Sequence, residues 1–182
     1  MTDASEAYRR LAGRSRRELE AVHREGETPD VTALLGYEFR GFNHPPLMGL
    51  FGIRKFIKGF FPARGRTYGF NTPAQQNGLD GGWLAKPGDA NPRRFGFYSV
   101  EAGHTTGRHP NAILLDYSLG DSGVPTKLLR DYVVRADPGS DELLLGKAYF
   151  AVRSARIPVG FFLLERRRPF APGPELEEHL RD

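Results

Sequence analysis

The residues of this chain best spaced for acid–base chemistry are Asp116-Tyr117 and Asp131-Tyr132, which close two echoing runs, LLDY and LLRDY. The runs read as two strands of one hairpin. Carboxylates that face each other across a hairpin repel, and one pKa rises; a carboxyl raised in this way can serve as a general acid. A loop centred between Gly123 and Val124 would set Asp116 opposite Asp131. A register one residue away sets Asp116 opposite Arg130, an ordinary ion pair, and this second register is the one expected. Tyr117 and His109 complete the acid–base suspects for a small enzyme working at a barrel mouth. No GxSxG elbow, HExxH pair or phosphate-cradling glycine loop accompanies them, so no catalytic residue is assigned.

The histidines offer a second chemistry. His104 and His109 share one polar loop, with Asp116 beyond it. A metal needs three or four convergent ligands, and the loop supplies no others. The expectation is therefore no metal and no cofactor, with haem held by His44, His104 or His109 as an alternative. A third chemistry is capture of an amphipathic ligand, whose charged end would meet an arginine and a tyrosine in a dry cavity. Arg40 and Arg130 are the arginines for that role. Tyr37, Tyr117, Tyr132 and Tyr149 are the tyrosines, and Phe39 and Trp83 add apolar wall.

Such residues need a scaffold, and Pro45–Pro62, PPLMGLFGIRKFIKGFFP, is its most telling stretch. At about 100° per residue, Leu50, Ile53, Phe56, Ile57, Phe60 and Phe61 share one arc. Arg54, Lys55 and Lys58 share the opposite arc. The spacing predicts an amphipathic helix over 46–60. Gly49, Gly52 and Gly59 each cost roughly 1 kcal/mol relative to Ala inside a helix, so it must pack closely or move. Three roles fit: a lid over an apolar cavity, a helix lying on a membrane surface, or a plug in a filled barrel.

Around it the pattern is β. Tyr37 and Phe39 alternate against Glu38 and Arg40 over 36–41. Strand-like segments recur at 66–71, 82–86, 94–101, 113–119, 128–135, 143–152 and 159–166, separated by turn residues. Short connections make successive strands antiparallel neighbours. Closing them into an up-and-down barrel leaves no exposed edge, and such a barrel fills itself or holds one small ligand. Residues 4–25 read as one helix, capped by Ser5 or Asp3, with a thin stripe of Tyr8, Leu11, Leu19 and Val22. It is expected to lie outside the domain as a poor core element.

The net charge of +4 comes mainly from arginine clusters such as Arg14-Ser-Arg16-Arg17 and Arg166-Arg167-Arg168. Acidic residues interrupt them, which favours a solvated basic surface over a nucleic-acid stripe. The absence of cysteine excludes disulfides and thiolate chemistry. MTDASEAYRR lacks the basic start and apolar run of a signal peptide. No window of about 18 apolar residues occurs. A cytoplasmic protein is expected.

The chain resembles the uncharacterised bacterial GXWXG-type proteins through Leu34-Leu35-Gly36, Phe39-Arg40-Gly41, Leu144-Leu145-Gly146 and Phe161-Phe-Leu-Leu-Glu-Arg166. It departs from them in having no Trp in the first motif and one residue too many between Gly36 and Gly41. More distantly it resembles the calycins, the lipocalins and fatty-acid-binding proteins, and the haem-binding barrel nitrobindin. The lipocalin likeness implies that Arg166 stacks on Tyr37, which replaces the lipocalin Trp. The resemblance spans about residues 30–168 and implies an antiparallel calycin-like barrel of eight to ten strands. That barrel has an N-terminal helix and one helix between its first two strands. The domain plan is therefore an N-terminal helix and linker (1–29), the barrel with its lid-like helix (30–168, 46–60), and a polar tail (169–182) that is mobile or one or two helical turns. The function expected is non-catalytic binding of a small apolar or amphipathic, lipid-like ligand. A filled barrel acting through its surface is the remaining alternative, and peripheral membrane contact would run through the 46–60 helix.

Overall fold

A computed structural model describes residues 3–45, 52–102, 109–119 and 126–180. Eight antiparallel strands close into one barrel in strict sequence order: β1 (Tyr37–Asn43), β2 (Lys55–Ala63), β3 (Arg66–Pro73), β4 (Phe95–Glu101), β5 (Ile113–Asp116), β6 (Leu129–Arg135), β7 (Leu143–Val152) and β8 (Ala155–Pro169). The last strand pairs back onto the first, from Tyr37↔Pro169 to Asn43↔Phe162. The expected closed antiparallel barrel is thus the observed architecture.

One part of the expected scaffold is corrected. Residues 55–60 form strand β2, not a helix, and are laddered to β1 and β3 on both sides. The remainder of the expected helix, 46–51 with Leu50, lies outside the described residues, and Gly52, Ile53 and Arg54 are turn or irregular. The reason is physical. β2 is buried on both faces over Lys55–Phe61, so apolar residues fall on both parities and imitate a helical arc. Read at period two, Phe56, Lys58 and Phe60 point into the barrel, and Lys55, Ile57 and Phe61 point out. Lys55 and Lys58, two of the three basic residues on the arc opposite the apolar one, are therefore buried. A membrane-surface helix has no helix to rest on over 55–60.

Two further readings change. The single N-terminal helix is two, α1 (Glu6–Ala12) and α2 (Arg16–Glu25), because Ser15 starts the second with a capping box to Glu18. Ser5 caps the first through Tyr8 N. These helices do lie outside the barrel, yet they bury Tyr8, Leu11 and Leu19 against Phe42, Ile57, Leu145, Phe161 and Leu163 of its outer wall. Residues 82–86 form only an isolated bridge, Ala74↔Ala85. The tail makes a 3-10 turn, Pro174–His179, whose Leu176 packs with Leu180 on Phe61, Phe70 and Phe97. Wall residues are thus covered from inside by the barrel core and from outside by the terminal segments.

Four directly paired positions shape the wall. Phe56 lies over Gly41, Phe70 over Gly59, Tyr98 over Gly69 and Phe162 over Gly146. A Cβ at any of these glycines would come within 2.0–2.3 Å of the ring. The glycines let aromatic rings lie flat on the neighbouring strand and cover its bare backbone.

Candidate functional site

The barrel interior has two halves. At the end where β1 begins, Phe39, Phe60, Tyr98, Leu115, Val133, Leu144 and Leu164 pack in one buried cluster with Leu34 of the short helix α3 (Val31–Leu34). There Arg166 Cζ stands 4.1 Å from the Tyr37 ring centroid. Its guanidinium also donates to Ala33 O (3.0 Å) and pairs with Glu142 (2.6 Å). The cation–π stack expected of these two residues is present.

The other half holds a cavity of about 210 Å³ that opens at the mouth. Phe56, Phe95, Leu129, Ala148, Val159 and Phe162 make its apolar wall, and Lys58, Asn71, Tyr117 and Asp131 supply polar groups. Phe95 reaches the cavity because the β3–β4 register shifts between Gly69 and Asn71, opposite Gly96, whose φ is +56°. A positive φ of this kind is open to glycine at little cost.

The polar groups form one network. Lys58 and Asn71 are direct cross-strand partners, and Lys58 Nζ donates to Asn71 Oδ1 at 2.9 Å. It also donates to Tyr117 OH and stands 3.4 Å from Asp131 Oδ2, so the ion pair crosses from β2 to β6. Tyr117 OH donates to Asp131 Oδ2 at 3.0 Å, and Asn71 Nδ2 donates to Gly96 O at 2.9 Å. Four rings surround the ammonium, with centroids at 4.6 Å (Tyr98), 5.0 Å (Tyr117), 5.3 Å (Phe162) and 5.6 Å (Phe56). Burial lowers the Lys58 pKa to about 8, although Asp131 pulls it back up. Burial raises Asp131, opposed by Lys58 and Tyr117. Burial also holds the Tyr117 phenol well above its ordinary value.

Of the thirteen residues anticipated for ligand binding, Ile53, Phe56 and Tyr117 line this cavity, and Leu50 lies outside the described residues. Phe39 and Phe60 are packed deeper in the core, and Tyr37 sits at the opposite end. The other six lie on the outer face. Arg40 pairs with Glu165 at 3.2 Å. Arg130 pairs with Asp116 at 3.2 Å, in the register expected between β5 and β6. Ile57 packs beneath the N-terminal helices. Trp83 is buried against Tyr8 and donates to Gly41 O at 2.9 Å. Tyr132 and Tyr149 flank His109, whose Nε2 stands 3.1 Å from Tyr149 OH.

Of the four acid–base suspects, Asp131 and Tyr117 meet, while Asp116 and His109 face outward. Lys58 and Asn71 were missed. A period-two reading of 55–63 would have placed Lys58 inside. No histidine lines the cavity, and no group of three metal-ligating side chains occurs, among the described residues. His44 makes both its ring contacts to backbone, Pro45 O and Arg14 O, each at 2.8 Å.

The arginine run on β8 is neutralised from within. Arg167 bridges Glu38 (2.9 Å) and Asp89 (2.6 Å), and Arg168 meets Glu38 at 2.7 Å. No protein-family model matches the chain, and no curated protein sequence matches it.

Proposed function

We propose that this barrel binds a small, uncharged, mostly apolar ligand carrying one polar group, without turning it over. The observation that supports this most is the cavity itself, with aromatic and aliphatic walls above a single polar cluster. Its size narrows the lipid-like expectation. About 210 Å³ is below the ~300–1,000 Å³ of pockets for drug-sized ligands, so a compact ring or short chain fits better than a long acyl chain. Charge narrows it further. The charges of Lys58 and Asp131 cancel, so a ligand carboxylate would have to compete with Asp131 for the ammonium. A hydroxyl or carbonyl can join the network without that competition.

Benzyl alcohol is a suitable probe. Calorimetric titration is expected to show saturable binding, with benzoate weaker. Ala148→Phe, which fills the cavity, is expected to abolish it. Binding that survives Ala148→Phe, or no saturable binding to the native chain, overturns the reading.

A further inference from the structure

A neutral ligand needs only hydrogen-bonding groups at the cavity floor, and amides or hydroxyls would supply those. The protein instead buries an amine and a carboxylate, each carrying a desolvation cost of several kcal/mol. Lys58, Tyr117 and Asp131 also stand in mutual contact, with Nζ donating to the phenol, the phenol donating to Asp131 Oδ2, that oxygen 3.4 Å from Nζ, and the amine bordering the cavity. Resting on the reading of this cavity as a ligand site, we propose that Lys58 captures small aldehydes or ketones as a reversible Schiff base, with Tyr117 and Asp131 moving the protons.

The geometry provides each requirement of that chemistry. Phe56, Phe95 and Phe162 hold the hydrocarbon part of the carbonyl compound, which turns its polar carbon toward Nζ. Asn71 Oδ1, bonded to Nζ, fixes the direction of the amine. Burial lowers the Lys58 pKa to about 8, which raises the share of free amine at neutral pH above that of an ordinary lysine. A desolvated lysine in an apolar pocket is a recognised activated nucleophile.

The step balances without any further reactant. The amine lone pair forms a C–N bond to the carbonyl carbon. The nitrogen gives one proton through Tyr117 OH to Asp131, which passes it to the carbonyl oxygen, giving a carbinolamine. The nitrogen's second proton follows the same route to the hydroxyl and lets the C–O bond break. One water leaves and the C=N bond forms. Nothing is oxidised or reduced, and water reverses the sequence.

Lys55 is a control within the same chain. Burial lowers its pKa to about 8 as well. Its amine lies outside the barrel, donating to Asn77 Oδ1 and to the carbonyls of Gly78 (2.8 Å), Gly81 (2.6 Å) and Gly82 (3.1 Å), with the Trp83 ring at 3.8 Å. It borders no apolar cavity among those described and has no phenol–carboxylate relay.

The test treats the full chain with benzaldehyde and cyanoborohydride at neutral pH and maps benzylated lysines by peptide mass spectrometry. Label is expected on Lys58 at least tenfold faster than on exposed lysines or Lys55, and suppressed by benzyl alcohol. Label spread over exposed lysines with Lys58 bare overturns the inference. If benzyl alcohol still binds in that case, the cavity reading stands alone; if it does not, both fall. Asp131→Asn is expected to slow labelling and shift its pH profile. An unchanged profile removes Asp131 from the proton relay. The native-chain map decides the role of Lys58 whether or not any variant folds.

Discussion

Lys58 and Asp131 are the residues on which function and stability meet. Removing one member of a buried ion pair strands the other charge, at about 3–5 kcal/mol, whereas replacing both with apolar groups is often near neutral. Urea unfolding of Lys58→Met is expected to show a loss in that range, and Lys58→Met with Asp131→Leu a clearly smaller one. A double variant as unstable as the single would mean that the four rings around the ammonium, not the carboxylate, hold the charge. At the far end, Arg166→Lys keeps the charge but loses the planar stack on Tyr37, an interaction of up to about 2 kcal/mol when desolvated. Urea midpoints are expected to fall accordingly. Tyr117 and Asp131 were legible in the sequence through the LLDY and LLRDY echo. Acid–base chemistry between two aspartates needed the other register; the expected one, with Asp116 facing Arg130, is the one observed, on the outside. The inward direction of Lys58 was illegible because the segment reads at helical period with Arg54, Lys55 and Lys58 on one arc. At period two Lys58 shares the inner face with Phe56 and Phe60, while Ile57 and Phe61 serve the outer clusters.

The strands differ in how openly they declared themselves. β7 was legible to the residue, since 143–152 is bounded by turns and rich in β-formers, whereas β2 was not, being apolar on both parities. The glycine–aromatic pairs across these strands carry a prediction. In Gly146→Ala the new methyl would lie 2.0 Å from Phe162 Cζ, so the ring must tilt toward the cavity. Overpacking of this kind costs about 1–3 kcal/mol, and benzyl alcohol affinity should fall with it. The docking of α2 carries another. His23 Nε2 meets Tyr132 O at 2.9 Å, and its ring lies 5.2 Å from that of His109. Glu20 and Lys147 pair beside them at 2.6 Å, and Arg156 lies near. Burial, with the charges of His23 and Lys147, lowers His109 to about 4, and burial lowers His23 as well. Each histidine therefore binds fewer protons folded than unfolded. Their contribution is complete above about pH 6.5 and is lost as pH falls toward 4. Thermal melts should show stability dropping between pH 6.5 and 4.5, with a shallower slope in His109→Phe. An equal slope would place the acid sensitivity elsewhere.

For the whole molecule, the barrel was legible from the number and spacing of strand-like segments, but the arrangement of its cores was not. Burial of a wall from both sides leaves little alternation to read, and the place of the cavity depends on side-chain volumes meeting across the lumen. One consequence concerns Trp83, the only tryptophan. It lies in the outer core beneath Tyr8, with ring centroids 5.8 Å apart, and not on the cavity wall. Its emission should be silent to benzyl alcohol and should shift to the red when residues 1–14 are deleted. A response to ligand in the intact chain would show that the wall itself moves. The seam between β1 and β8 has a different consequence. On its outer face Arg40 meets Glu165, and Glu165 accepts from Ser5 N, a bond joining residues 160 positions apart. During synthesis, then, Ser5 must wait until Glu165 has been made before it finds this partner. Until β8 emerges, β1 offers an unpaired edge, and a fold so dominated by distant contacts forms slowly. The nascent chain is thus most open to self-association in the interval just before its last strand is made.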